Sequence, residues 1–151
     1  MSTEENKAIV KEAWEKMTND NNYDRLYDLY HKDYVYHGPG GYEVRGADGV
    51  KRFFIKAREL MPDMHFTIND MIAEGDKVFI RYTAQVTSKT DGKHYTSVNM
   101  VLSRIADGKL IEERESIDRM ATAQQGARGW FQKMMVNYIA KKVNRGMGFA
   151  E

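Results

Sequence analysis

Residues 109–119 read Lys-Leu-Ile-Glu-Glu-Arg-Glu-Ser-Ile-Asp-Arg, so seven of eleven side chains in one strand-length segment are charged. Side chains alternate along a strand, which puts Leu110, Glu112, Arg114, Ser116 and Asp118 on one face and Ile111, Glu113, Glu115 and Ile117 on the other. If the Asp118 face turns inward, the interior holds an ionisable group. An inward carboxylate is costly to desolvate, and burial raises its pKa toward neutrality, where it can act as a base. Asp118 is the candidate on the first face. Such a base removes a proton next to a carbonyl when a donor stabilises the resulting enolate oxygen. The competing reading is structural, since Asp often caps a following helix. Arg114 lies roughly 13 Å from Asp118 along a strand, too far to pair with it. It either binds a substrate anion or pairs with Glu112. Ser116, between them, offers one hydrogen bond.

His37 ends the segment Asp33-Tyr-Val-Tyr-His37, beside Gly38-Pro39-Gly40-Gly41. A histidine there serves either as a pocket acid/base or donor, or as a hydrogen-bonded group at a rim. His31, His65 and His94 have no spacing that gathers them around one ion, so no metal is expected. No cysteine is present, which excludes disulfides, thiolate ligands and a cysteine nucleophile.

The elements that must position these groups follow from periodicity. Ser2 and Glu5 have capping-box spacing, and Ile9, Ala13, Trp14 and Met17 then recur at helical intervals, which predicts a helix over about residues 4–18. A short helix with Leu26, Leu29 and Tyr30 on its core side follows, then a strand at 33–37. Val50, Phe53, Phe54, Ala57, Leu60 and Met61 predict an amphipathic helix over 47–61, stopped by Pro62. Residues 65–74, 77–88, 95–105 and 109–118 read as long strands joined by hairpin turns. Helices followed by an antiparallel meander make an α+β fold, with helices on one face of a curved sheet.

From about residue 124 to 144, Trp130, Met134 and Tyr138 form one helical row, with Phe131, Met135 and Ile139 beside it. The charges are Arg128, Lys133, Lys141, Lys142 and Arg145, with no acid before Glu151. This helix either packs on the domain or a second subunit, or touches a membrane surface or another partner. A net charge of +1 argues against a nucleic-acid role for the domain. There is no leader pattern and no apolar run of membrane-spanning length, and a cytoplasmic location is expected.

Several strings in order resemble a known family: Asp33-Tyr-Val-Tyr-His37, Gly46-Ala-Asp-Gly-Val50, Pro62-Asp63-Met64-His65-Phe66, Ala73-Glu-Gly-Asp-Lys-Val78, Arg104-Ile-Ala-Asp-Gly-Lys109 and Asp118-Arg119. Together the chain resembles the SnoaL-like polyketide cyclases (ester cyclases) of the nuclear-transport-factor-2-like superfamily. The resemblance implies a cone of curved, mostly antiparallel sheet closed by N-terminal helices, here spanning residues 1–126, with 127–151 as an extra C-terminal helix. It also implies an apolar pocket, a homodimer, and a cofactor-free cyclase or isomerase acting on an apolar, polyketide-like carbonyl compound. A non-catalytic small-molecule or partner-binding module of the same fold is the alternative.

In the cyclases an Asp near the end of the last strand is the general acid/base, and its match is Asp118. The pocket histidine matches His37. Arg114, Ser116, Tyr34, Trp14, Phe54, Arg81, Tyr82 and Asn99 complete the expected substrate-binding set. Where the family often has two tryptophans in the last strand, this chain has Arg114 and Ile117. Set against the family, Glu113 and Glu115 are expected on the solvent face. Related epoxide hydrolases use an Asp-Arg-Asp arrangement, of which Arg81 and Asp118 would be parts, but Thr83 stands two residues beyond Arg81. A ketosteroid-isomerase-like proton shuttle needs a tyrosine donor beside an acidic pair. Nine tyrosines are available, and the sequence identifies no such pair.

Overall fold

Ser2 starts the first helix through the expected reciprocal cap: its Oγ accepts from the Glu5 amide at 3.2 Å, and its own amide donates to Glu5 Oε2 at 2.6 Å. The structure is a computed structural model and describes residues 1–127 and 129–146. Helix α1 (Thr3–Trp14) turns Val10, Ala13 and Trp14 inward. The helix expected to reach residue 18 instead widens into one π-helical turn, Glu15–Asn19. Thr18 contributes by donating its hydroxyl back to the Trp14 carbonyl, and Met17 and Thr18 are both buried. Asn19 then grips the backbone of Phe66 like a strand neighbour, donating to its carbonyl and accepting from its amide, each at 2.9 Å.

Helix α2 (Leu26–Leu29) runs straight into β1 (Tyr30–His37), so Tyr30 opens a strand instead of closing a helix. The glycine turn after His37 leads into a short strand absent from the sequence expectation, β2 (Glu43–Arg45), which returns along β1. Helix α3 (Gly46–Leu60) follows. Strands β3 (His65–Glu74), β4 (Lys77–Thr87), β5 (His94–Ala106) and β6 (Lys109–Ile117) form the expected meander. The sheet order is β2-β1-β6-β5-β4-β3. The pairing of β1 with β6 is parallel, the others antiparallel. The last strand is therefore central, with β1 and β5 as neighbours. Its inner face meets the helices over a core that includes Val10, Met17, Leu26, Ile80, Val101 and Leu110.

One irregularity in β6 reverses the facing expected there. Ile105 pairs with Leu110, yet Arg104 pairs with Glu112, so Ile111 is an extra residue in a β-bulge. A bulge shifts the alternation by one. Leu110 faces inward before it, and Glu113 and Glu115 face inward after it. Glu113 is 4% exposed, whereas Arg114 and Ser116 are exposed on the outer face. The expectation that Glu113 and Glu115 form the solvent face is thus corrected.

The chain divides into two compact units, one spanning Met1–Ile117 and one that begins at Asp118. In the second unit, the single expected helix is two: α4 (Arg119–Gly126) and α5 (Gly129–Gly146). Gly129 has a φ of 67°, a left-handed conformation that interrupts them. On α5, Trp130, Phe131, Met134, Met135, Tyr138 and Ile139 are all exposed. Arg128 and Glu151, which entered the charge pattern above, lie outside the described residues. No helix among the described residues is long and apolar enough to cross a membrane.

Candidate functional site

Two carboxylates on the inner face of β6, Glu113 and Glu115, are the centre of the candidate site. Glu113 binds together three elements. Its Oε1 accepts from Trp14 Nε1 of α1 at 3.0 Å and from Ser103 Oγ of β5 at 2.8 Å, and its Oε2 accepts from the Tyr34 hydroxyl of β1 at 2.5 Å. Glu115 sits one strand repeat further on, partly buried, and accepts the hydroxyls of Tyr36 on β1 and Tyr82 on β4. Strand alternation explains the set: Tyr34 and Tyr36 share the inner face of β1, and Asn99, Val101 and Ser103 share that of β5. The walls are aromatic. Trp14 lies against Tyr82 at a centroid distance of 4.6 Å, and Tyr36 against Phe53 at 5.8 Å.

Burial pushes the Glu113 carboxyl above the usual range, against the hydrogen bonds from Tyr34, Trp14 and Ser103 that favour its anion; the charge of Glu115 adds to the rise. Burial raises Glu115 too, opposed by the Tyr36 and Tyr82 hydroxyls. The tyrosines shift upward, by burial first and then by the facing carboxylates, so they remain donors across the working range. The two glutamates differ in donors and in access. Glu113 has three donors and no solvent access to speak of; Glu115 has two donors and keeps a partly open side.

These shifts carry a sign that can be measured. Both folded-state pKa values lie above the ordinary glutamate value of about 4.3, so over that interval the folded chain binds more protons than the unfolded one. Stability should therefore be greatest below the interval and fall as pH rises through it. Urea midpoints taken from about pH 4 to about pH 8 are expected to decline, with a shallower decline in Glu113→Gln. An equal slope in the variant would contradict the assignment.

Trp14, Tyr34, Tyr82 and Asn99, all expected from sequence, belong to this inner cluster, and Phe54 packs against the core beside Phe53. His37, Arg114, Ser116 and Arg81 lie on the outer face. His37 follows Tyr36 and so faces outward, held between Glu112 Oε1 and Glu43 Oε1 at 3.1 Å each. Arg114 donates to the same Glu112 oxygen at 2.6 Å, the ion-pair alternative raised above. Burial pulls the Glu112 carboxyl up, but Arg114, Arg104 and His37 leave it below the usual range. Arg81 pairs with Asp70 at 2.5 Å on the outer face. Asp118 caps α4, its Oδ1 accepting from the Ala121 amide at 2.9 Å. The sequence reading missed the roles of Glu113, Glu115, Tyr36 and Ser103. The Tyr34-x-Tyr36 spacing opposite a glutamate-rich strand was the available signal, hidden by the bulge. No group of three or more metal-ligating side chains occurs among the described residues.

The model of the SnoaL-like domain matches residues 10–113, well over half of the chain, which therefore belongs to that family. The matched span stops at Glu113, so neither Glu115 nor Asp118 lies within it. Solved structures share the fold at low identity. A SnoaL-like protein from Jannaschia sp. CCS1, assigned as a polyketide cyclase, superposes with a TM-score of 0.73 at 17% identity, covering 82% of this chain and 92% of that one. TsrD from Streptomyces laurentii gives 0.71 at 17% identity, covering 83% and 96%. An NTF2-like protein from Burkholderia xenovorans LB400 gives 0.71 at 23% identity, covering 83% and 98%. No curated protein matches the chain in sequence.

Proposed function

We propose that the chain is a cofactor-independent cyclase or isomerase that moves a proton next to the carbonyl of an apolar, polyketide-like compound. One observation carries this reading: Glu115 is a partly buried carboxylate held by two tyrosine hydroxyls in an aromatic interior. Desolvation brings such a group toward the pKa of a useful base. Glu115 takes the proton from the carbon beside the carbonyl, and the electron pair moves onto the carbonyl oxygen. Having lost its charge, the carboxyl releases its hold on the hydroxyls. Tyr36, the more open of the two, then donates to the enolate oxygen, so the donor follows the charge. The enolate either regains a proton at another carbon, an isomerisation, or attacks a second carbonyl and closes a ring. Glu113 fixes Trp14 and Tyr34 around the reacting volume without taking part.

The family resemblance favours Asp118 as the base instead, and a simple substitution separates the two. Asn caps a helix as well as Asp does, so Asp118→Asn removes the charge and keeps the cap. The probe is 2-tetralone, an apolar ketone with acidic α-protons, incubated with the protein in deuterated buffer and followed by proton NMR. Catalysed α-exchange supports the proposal. A second reading, a non-catalytic binder, is favoured by both tyrosine donors already being spent on Glu115. Saturable binding of 2-tetralone without exchange would select it.

A homodimer through the outer face of the sheet belongs to the same proposal. Val98, Met100 and Leu102 stand in a row on the outer face of β5, 44%, 46% and 41% exposed, with Phe79 and the exposed Ile72 in register beside Leu102. Such a row on a central strand fits burial against a second copy better than exposure to water. Sedimentation should give a dimer for the wild type and a monomer for Met100→Glu. A dimer persisting in that variant, but lost on truncation after Gly126, would move the interface to α5.

A further inference from the structure

Asn99, on the inner face of β5, is 4% exposed, and its Oδ1 has no hydrogen-bond partner. Its orientation is set by the chain of bonds beside it. Tyr82 has one hydroxyl proton and gives it to Glu115. Asn99 faces Tyr82 as its cross-strand partner, and what its amide can offer that hydroxyl oxygen is an N–H donor. That leaves the amide oxygen as the unpaired end. A buried acceptor without a donor is unfavourable and uncommon in native interiors, and a bound molecule carrying a donor relieves it.

Asn99 is the cross-strand partner of Tyr82, and Glu115 is the partner of Val101, two residues along β5, so Asn99 and Glu115 are diagonal neighbours on the inner face, roughly 7–8 Å apart along the backbone. A donor on Asn99 Oδ1 is thus a few covalent bonds from a carbon presented to Glu115. We propose that Asn99 Oδ1 is a subsite for a substrate hydroxyl, and that the compound taken is a hydroxylated apolar carbonyl, with a phenol or enol O–H close to the carbon that loses its proton. This rests on the reading of Glu115 as the reacting group. It adds a specificity element: an analogue lacking the hydroxyl leaves the amide oxygen desolvated and unpaired, which a site built for a donor discriminates against.

The probes are 2-naphthol and 2-methoxynaphthalene, alike in shape but differing in one O–H, titrated against Trp fluorescence and checked by NMR. The wild type should bind 2-naphthol about tenfold more tightly, the effect of one net hydrogen bond in a desolvated site. Asn99→Ala, confirmed folded by circular dichroism, should bind the two alike. Glu115→Gln should keep the preference, which shows that Asn99 and not the carboxylate reads the hydroxyl. Equal binding to the wild type would mean that a water alone satisfies Asn99, and would overturn this inference while leaving the proton-transfer site standing. A preference lost in Glu115→Gln and kept in Asn99→Ala would also overturn it. Binding of neither probe would also overturn it, while the proton-transfer reading stands or falls on 2-tetralone exchange.

Discussion

Glu115→Gln is expected to slow α-proton exchange of 2-tetralone by about 10²–10⁴-fold, the usual contribution of a positioned general base. The substitution keeps the side chain's size and one acceptor oxygen for the Tyr36 and Tyr82 hydroxyls, so the interior should remain packed. It also removes a carboxylate that burial disfavours, so the urea midpoint near neutral pH should hold or rise. That combination, lost exchange with undiminished stability, separates a working group from a structural one. Asp118→Asn should leave exchange within about twofold, because the cap is retained and the base is elsewhere. If Asp118→Asn abolished exchange and Glu115→Gln did not, the family's usual assignment would hold and Glu115 would be a structural carboxylate.

Glu113→Ala is expected to act in the opposite manner, through stability. It strands three donors from three elements: Trp14 Nε1, the Ser103 hydroxyl and the Tyr34 hydroxyl. Each buried donor left unpaired costs about 1–3 kcal/mol, and loss of the hub as a whole about 3–5 kcal/mol. Against a total stability of about 5–15 kcal/mol that is a severe loss. Glu113→Gln, which keeps an acceptor for part of the set, should cost less. Equilibrium urea unfolding at neutral pH measures both, and a loss under about 1 kcal/mol for Glu113→Ala would contradict the hub. Its place in function is indirect: it holds Trp14 and Tyr34 against β6, beside Glu115.

The helices, the four-strand meander and its turns were legible because periodicity and turn chemistry are local. The capping box at Ser2 and Glu5 is present in the structure. The short β2 was not legible, since three residues after a glycine turn carry no period. Neither was the π-helical turn, whose stabilisation comes partly from the distant Phe66. The site was half legible. Tyr34, Tyr82, Trp14 and Asn99 were selected on the right elements. The inner carboxylates were not the ones singled out, because the resemblance pointed to Asp118, and the bulge at Ile111 hides that the inward Leu110 shares its face with Glu113 and Glu115 and not with Arg114 and Ser116. A bulge is a property of the pairing of two strands, and the partner register of β5 and β6 cannot be read along β6 alone. His37 lies outside the inner cluster because it adjoins Tyr36, and only one of two neighbours on a strand can face inward.

The most direct test of the central claim is the pH–rate profile of α-exchange, measured side by side on the wild type, Glu115→Gln and Asp118→Asn. The account predicts a wild-type rate that rises as Glu115 loses its proton, with a midpoint above the ordinary glutamate range, the same rise in Asp118→Asn, and a low, flat profile in Glu115→Gln. A rise that survives in Glu115→Gln and disappears in Asp118→Asn would contradict it.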